Sequence, residues 1–247
     1  MHKNLTKGFD EDGFFIVPKL LSHDKINKLT SLCESIIHKE EAFYAKAGVA
    51  SPYGRVFSCI HYDDFFLSIF LDDNFYHYFK ASFDEPHPII HVYTTSSIPP
   101  KGKNVFSKMH NDSALQSKSF IEGIGCIIML SPFTEKNGAT CVLPGSHKEA
   151  APPDLTTFEE NSIRILGNPG DVLFFNPNLW HSSCPNKTQE WRHSLSIGIS
   201  RPWIRPHVDH LRLLKDRSLI QSHPRLKQLV GYYSQPYHSE MDYYERS

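Results

Sequence analysis

No stretch of this sequence is long and apolar enough to cross a membrane. The most hydrophobic run, IIML at 127–130, falls far short of the roughly 20 apolar residues a bilayer requires. The polar opening MHKNLTKGFDEDGF predicts no secretory signal. Cysteine is sparse: Cys33, Cys59, Cys126, Cys141 and Cys184 are odd in number, dispersed, and form no CxxC pair. That pattern argues against a disulfide framework and predicts reduced thiols in a cytoplasmic protein. Neither sign of charge is in excess. A net charge of −1 over 247 residues, with clusters as short as KGK (101–103), predicts neither a nucleic-acid partner nor a membrane one. Internal repeats and low-complexity linkers are missing too. What remains, 40% apolar and 21% charged residues, suits a globular chain with a sizeable core. Histidine is the exception: fifteen of them give a first hint of a metal.

The chain divides by hydrophobic period. FDEDGFFIVPKLLS (9–22) reads as a short strand and turn, and Ser22 as the N-cap of a helix with Ile26, Leu29, Leu32, Cys33 and Ile36 on one face. A second helix is expected over 64–80, its phenylalanines supplying core contacts. From about residue 87 the period becomes strand-like, with candidates at 88–95, 106–112, 120–130, 140–145, 162–166, 171–176, 179–184 and 190–200. Eight short strands with frequent turns predict a mainly β jelly roll. We therefore expect one domain over 1–247: a helical part to about 85, a jelly-roll core over about 86–202, and a C-terminal cover of one or two helices over about 203–247. Tyr232, Tyr233 and Tyr237 are expected to join that cover.

Three places spell His-x-Asp: 61–63, 110–112 and 207–209. In a strand, residues two apart share a side, so any of them could aim two ligands at one ion. The combination of carboxylate and imidazole suits Fe(II), Mn(II) or Zn(II), and two histidines with one carboxylate and open positions point to non-haem Fe(II). Context separates the three. Asp63 and Asp209 each precede an apolar helical stretch and read as caps. His110 and Asp112 instead end a candidate strand, and His181 lies in another strand roughly 70 residues on, enough chain to return alongside.

The stretch GDVLFFNPNLWHSSCPNKTQEWRHS (170–194) adds a cation. If its turn centres between Asn186 and Lys187, antiparallel pairing sets His181 opposite Arg192 on one sheet face. Ser194, Ser196, Gly198 and Ser200 follow on that face, while Leu195, Ile197 and Ile199 pack behind it. A buried guanidinium there needs an anion, ideally a carboxylate held bidentately. A ligand chelating the metal at one end and carrying a carboxylate two methylenes away is 2-oxoglutarate, its far carboxylate meeting Arg192 and Ser194. The alternative is a structural pair between Arg192 and Glu190.

These pieces together resemble the phytanoyl-CoA dioxygenase (PhyH) family of Fe(II)/2-oxoglutarate-dependent oxygenases. The matching motifs are FDEDGFFIVPKLLS with its helix, HND (110–112), EKNGATCVLPGSHK (135–148), GDVLFFNPNLWHSSCPN (170–186), RHS (192–194) and LKQLVGYYSQP (226–236), in the family's order over nearly the whole chain. The resemblance implies a double-stranded β-helix, cupin-like, with His110, Asp112 and His181 on Fe(2+) and Arg192 and Ser194 on 2-oxoglutarate. It also implies O2-dependent oxidation of a small-molecule substrate, most simply hydroxylation of an aliphatic C–H, with release of succinate and CO2. Asp112 stands where related halogenases carry a small residue, which favours hydroxylation, desaturation or ring formation over halogenation. Asn111 departs from the glutamine many members carry there, and nothing in the chain matches the parts that recognise CoA. Two other classes stay open at this stage: a cupin-like metal-dependent isomerase or hydrolase without 2-oxoglutarate, and a non-catalytic binding module on the same fold. His147, in PGSH, reads as a turn residue supporting the fold, and Trp180 as packing.

Overall fold

The computed structural model describes residues 8–48, 51, 54–103, 105–113, 120–237 and 239–246, so the opening MHKNLTK lies outside the described residues. The elements, in order, are β1 (Phe14–Val17), α1 (His23–Ala47), α2 (Asp73–Ser82), β2 (Ile89–Thr95), β3 (Gly123–Met129), β4 (Thr140–Val142), α3 (Leu155–Asn161), β5 (Ile163–Arg164), β6 (Val172–Phe175), β7 (His181–Ser183), β8 (Ser194–Ser200), α4 (His210–Leu214), α5 (Ser218–Ser222), α6 (Pro224–Leu229) and α7 (Glu240–Arg246). A five-stranded sheet in the order β1-β6-β3-β8-β2 faces a three-stranded sheet in the order β5-β4-β7, and every pairing is antiparallel. This is the double-stranded β-helix, or jelly roll.

Helices α1, α2, α4, α5 and α6 pack in the core cluster on the outer face of the large sheet, whereas α3 packs against the small one. Helix α1 starts where Ser22 Oγ accepts the Lys25 N–H and ends at Gly48, which adopts φ 68° and returns its N–H to Tyr44 and Ala45. Ile26, Leu29, Cys33, Ile36 and Ile37, at helical spacing, are buried against Ile124, Cys126 and Ile128 of β3 and Leu195, Ile197 and Ile199 of β8 in one core cluster. The inner face of the large sheet falls into layers. Leu173, Ile127, Ser196 and Thr94 form one; Phe175, Gly125, Gly198 and Val92 form the next. Two neighbouring strands thus shrink to glycine in the same layer, which opens space inside.

Several expectations need correction. The helix over 64–80 is two elements, a 3-10 helix over Asp64–Leu71 and then α2. Asp72 breaks it: its backbone is extended, and its carboxylate accepts the Asn74 and Phe75 N–H groups, so a fresh helix starts there. The segment 106–112 is not a strand. It opens with a 3-10 turn, Val105–Ser107, and touches a sheet only through a single bridge from His110 to His181. Among its described residues the C-terminal segment holds four short α-helices and a 3-10 turn, Tyr232–Ser234. Leu214, Ile220, Leu226 and Leu229 enter the helical core, whereas Tyr232, Tyr233 and Tyr237 stand exposed at the surface.

The largest correction concerns 179–200, which is no hairpin. Strand β7 pairs with β4 in the small sheet, and β8 sits between β3 and β2 in the large one. His181 bridges His110, while Arg192 bridges Ile98. The turn between them is a crossover pinned by the buried Asn186. Its amide donates to the carbonyls of Pro99 at 3.1 Å and Glu190 at 2.7 Å, and its Oδ1 accepts the Thr188 N–H at 3.0 Å. The face assignments survive because they rest on strand alternation, not on pairing.

Candidate metal centre

The NPN turn after β6 builds the site. Asn176 Oδ1 accepts the Asn178 N–H, and the Asn176 carbonyl accepts the Leu179 N–H, which folds the backbone back on itself. Two carbonyls are thereby aimed. That of Pro177 accepts the N–H groups of Asp112 (2.8 Å) and Ser113 (3.1 Å), holding the HND loop. That of Leu179 accepts His181 Nδ1–H at 2.9 Å. The Lys108 carbonyl does the same for His110 Nδ1–H at 2.8 Å. With both Nδ1 atoms donating, both Nε2 atoms present lone pairs, the tautomer a metal needs.

Those lone pairs converge. His110 Nε2 lies 3.8 Å and His181 Nε2 4.0 Å from Asp112 Oδ1, the imidazole centroids are 4.3 Å apart, and all three ligand atoms fall within 4.8 Å of one another. His110 Nε2 is buried with no hydrogen-bond partner, as a ligand atom facing an ion would be. Burial first, and then the neighbouring His181, lower the pKa of His110, which favours the neutral form that metal binding requires. Two imidazoles and one half-exposed carboxylate, with solvent access on the Asp112 side, fit a ferrous ion keeping open positions. Rings brace the ligands: Phe106 stacks on His110 at 5.8 Å, and the edge of Phe175 meets His181 at 5.1 Å. Phe175 can lie there because Gly125 has no side chain; a Cβ at that position would run into the ring.

Arg192 brings a buried cation to the interior. It is 1% exposed, donates from Nη1 to Ser194 Oγ at 2.6 Å, and lies 4.4 Å over the Phe133 ring. Ser194 Oγ passes its own hydrogen to the Ser96 carbonyl. Nε and Nη2 of Arg192 have no partner, and among the described residues no carboxylate pairs with it; Glu190 is exposed. Burial lowers its pKa to about 9. The walls around the triad carry small polar groups, Ser96, Thr140, Ser183 and Ser196, of which Ser96 joins the Arg192–Ser194 chain of hydrogen bonds. An unpaired buried guanidinium and a hydroxyl fit the far carboxylate of 2-oxoglutarate, so the residues present suit both the ion and the diacid.

The remaining candidates stand elsewhere. Asp63 and Asp209 cap the segments that follow them, accepting the Phe65 and Arg212 N–H groups. His147 packs on Gly13 and meets the Asp10 carbonyl at 3.3 Å, away from the triad. Trp180 joins Cys141, Leu143 and Phe158 on the outer face of the small sheet. A cavity of about 350 Å³ opens on the Asp112 side of the triad, floored by Gly123, Gly125 and Gly198. Its walls include Arg55, His91, Arg205 and His207, which sequence reasoning missed. No periodicity marks them: each comes from an irregular segment or, for His91, from a bulge in β2.

The sequence profile of the phytanoyl-CoA dioxygenase (PhyH) family matches residues 9–194, and the chain belongs to that family. An uncharacterized protein of Mycobacterium tuberculosis is 27% identical over 157 residues, covering 64% of this chain and 56% of its own length. The iron/alpha-ketoglutarate-dependent dioxygenase penM of Penicillium thymicola is 36% identical over 115 residues, 45% of this chain and 35% of its own length. The chain thus spans little more than half of the first of these relatives and about a third of the second. Among solved structures, the epimerase SnoN with Fe3+, alpha-ketoglutarate and nogalamycin RO superposes with TM-score 0.66 at 17% identity, over 83% of this chain and 86% of that one. EctD from S. alaskensis with 2-oxoglutarate and 5-hydroxyectoine gives TM-score 0.66 at 20% identity, over 80% and 75%. These two likenesses establish a shared fold.

Proposed function

We propose that this chain is an Fe(II)- and 2-oxoglutarate-dependent oxygenase that hydroxylates an aliphatic C–H bond of a small molecule. The observation that carries the reading is the meeting, in one interior, of three converging ligand atoms and a buried guanidinium that no carboxylate of the described residues pairs. A metal-dependent isomerase or hydrolase would use the first and leave the second unexplained. Penicillium thymicola penM, named for iron and alpha-ketoglutarate, supports the same pair of cofactors.

In this reading His110 Nε2, His181 Nε2 and Asp112 Oδ1 hold the iron, and Arg192 with Ser194 holds the far carboxylate of the diacid. When bound, the two supply oxygen activation coupled to decarboxylation of 2-oxoglutarate to succinate and CO2. The protein's own part is positional. The Lys108 and Leu179 carbonyls fix the imidazole tautomers, Phe106 and Phe175 fix the ring planes, and Pro177 fixes the HND loop. The glycine layer of Gly125 and Gly198 leaves room for a substrate beside Asp112.

The test is stoichiometric. Iron-loaded protein should turn 2-oxoglutarate into succinate only with O2, and Arg192→Ala should cut that turnover at least tenfold by raising the 2-oxoglutarate requirement. Turnover independent of iron, or untouched by Arg192→Ala, would reject the assignment.

A further inference from the structure

Two guanidinium groups, those of Arg55 and Arg205, line the 350 Å³ cavity beside Asp112. Arg55 is clamped between two rings, its Cζ 4.8 Å from the Phe57 centroid and 4.9 Å from that of Phe106. Its Nε is buried without a hydrogen-bond partner, and among the described residues no carboxylate forms an ion pair with it. Asp112 is near enough for its charge to be felt, yet burial outweighs it. In the reading above, that carboxylate is spent on the metal. The Phe106 ring meets both Arg55 and His110, so the cation stands close to a proposed metal ligand. Arg205 lines the same cavity, and His91, its ring tilted 55° against that of His207 at 4.3 Å between centroids, leaves its Nδ1 unsatisfied. Besides Asp112, the cavity wall carries one more acid among the described residues, Glu122, which lies one residue before β3 and accepts the Ser113 hydroxyl.

We propose that Arg55 anchors an anionic group of the primary substrate, which is therefore a small acid: a carboxylate, or an anion of like geometry, on a mostly apolar body. The aromatic clamp holds the guanidinium plane fixed, so little freedom is lost when two parallel N–H···O bonds form to a carboxylate. Val92, Pro177 and Ile204 supply apolar wall for the body. The volume lies at the small end of the ~300–1,000 Å³ typical of ligand pockets, which suits a compact acid and not a long acyl chain. This inference rests on the proposed function only in taking the cavity as the substrate's.

The test uses Mn(II)-loaded protein, with and without 2-oxoglutarate, titrated calorimetrically with 3-phenylpropionate and with its neutral amide. The acid should bind at least about tenfold more tightly than the amide. In Arg55→Ala that preference should fall to about one, with 2-oxoglutarate affinity moving less than about threefold. Arg55→Gln, which keeps a planar group between the two rings, replaces the alanine variant if that one does not fold. Equal binding of acid and amide by the wild type, or binding of neither, overturns the proposal. So does loss of 2-oxoglutarate binding in the Arg55 variants, because the anion on Arg55 would then be the cosubstrate's. A wild-type protein that takes up no 2-oxoglutarate refutes the oxygenase reading instead, and the acid–amide ratio on the metal-only protein still decides Arg55.

Discussion

Arg192→Met separates a guanidinium kept for a ligand from one kept for the fold. In the free protein the group is almost wholly buried with one hydrogen bond and no anion, and burial has already lowered it to about 9. An uncompensated charge at such depth costs on the order of 3–5 kcal/mol. Against this stand the bond to Ser194, about 1.5–3 kcal/mol for a charged donor, and the face of Phe133, about 1–2 kcal/mol. The opposing contributions nearly cancel. Methionine fills much of the same volume without the charge, so the variant should unfold within about 2 kcal/mol of the wild type when no ligand is present. Ligand changes the outcome. At a hundredfold excess over its dissociation constant, 2-oxoglutarate should stabilise the Mn(II)-loaded wild type by about 2.7 kcal/mol and the variant by almost nothing. Urea unfolding with and without the diacid measures both quantities. A variant that loses more than about 3 kcal/mol without ligand, yet keeps the full ligand-induced gain, would refute the reasoning.

Three further outcomes follow from the same geometry. Gly125→Ala drives a methyl group into the Phe175 ring, which has nowhere to go but toward His181; we expect about 1–3 kcal/mol of destabilisation and a metal affinity lower by roughly 10–100-fold, read by Mn(II) titration. Asn186→Ala removes the amide that pins the crossover, and should cost about 2–3 kcal/mol and weaken 2-oxoglutarate binding while leaving metal affinity unchanged. Burial lowers His210 to about 3, and burial with the Arg192 cation lowers His193 to about 4. Unfolded chains protonate these histidines near pH 6.5 and the folded chain does not, so stability should fall as pH drops from about 6.5 toward 4, by up to about 1.4 kcal/mol per pH unit for each. His193→Asn should flatten that slope in chemical unfolding across the range; an unchanged slope would remove His193 from the account.

Local signals carried as much of the architecture as they physically could. Ser22 and the 3–4 spacing of Ile26, Leu29, Cys33 and Ile36 locate α1 because cap and apolar face are properties of neighbouring residues. Alternation in β8 separates Leu195, Ile197 and Ile199, packed under the helices, from Ser194, Ser196 and Gly198, facing inward. Pairing partners are not local. A turn between two strands reads alike whether it closes a hairpin or crosses between sheets, and here the choice belongs to Asn186 and carbonyls nearly ninety residues earlier in the chain. The HND loop likewise borrows its order from Pro177, so no strand is needed over 106–112. His110, Asp112 and His181 could be singled out because the other two His-x-Asp pairs spend their aspartates on caps. Arg55 could not, since its meaning lies in what fails to pair with it after folding.

The most direct measurement is anomalous diffraction at the iron edge from crystals grown anaerobically with Fe(II) and 2-oxoglutarate. The account expects one iron peak between His110 Nε2, His181 Nε2 and Asp112 Oδ1, with density for a diacid ending on Arg192 and Ser194. Iron bound elsewhere, or a diacid whose far carboxylate leaves Arg192 unpaired, would contradict it.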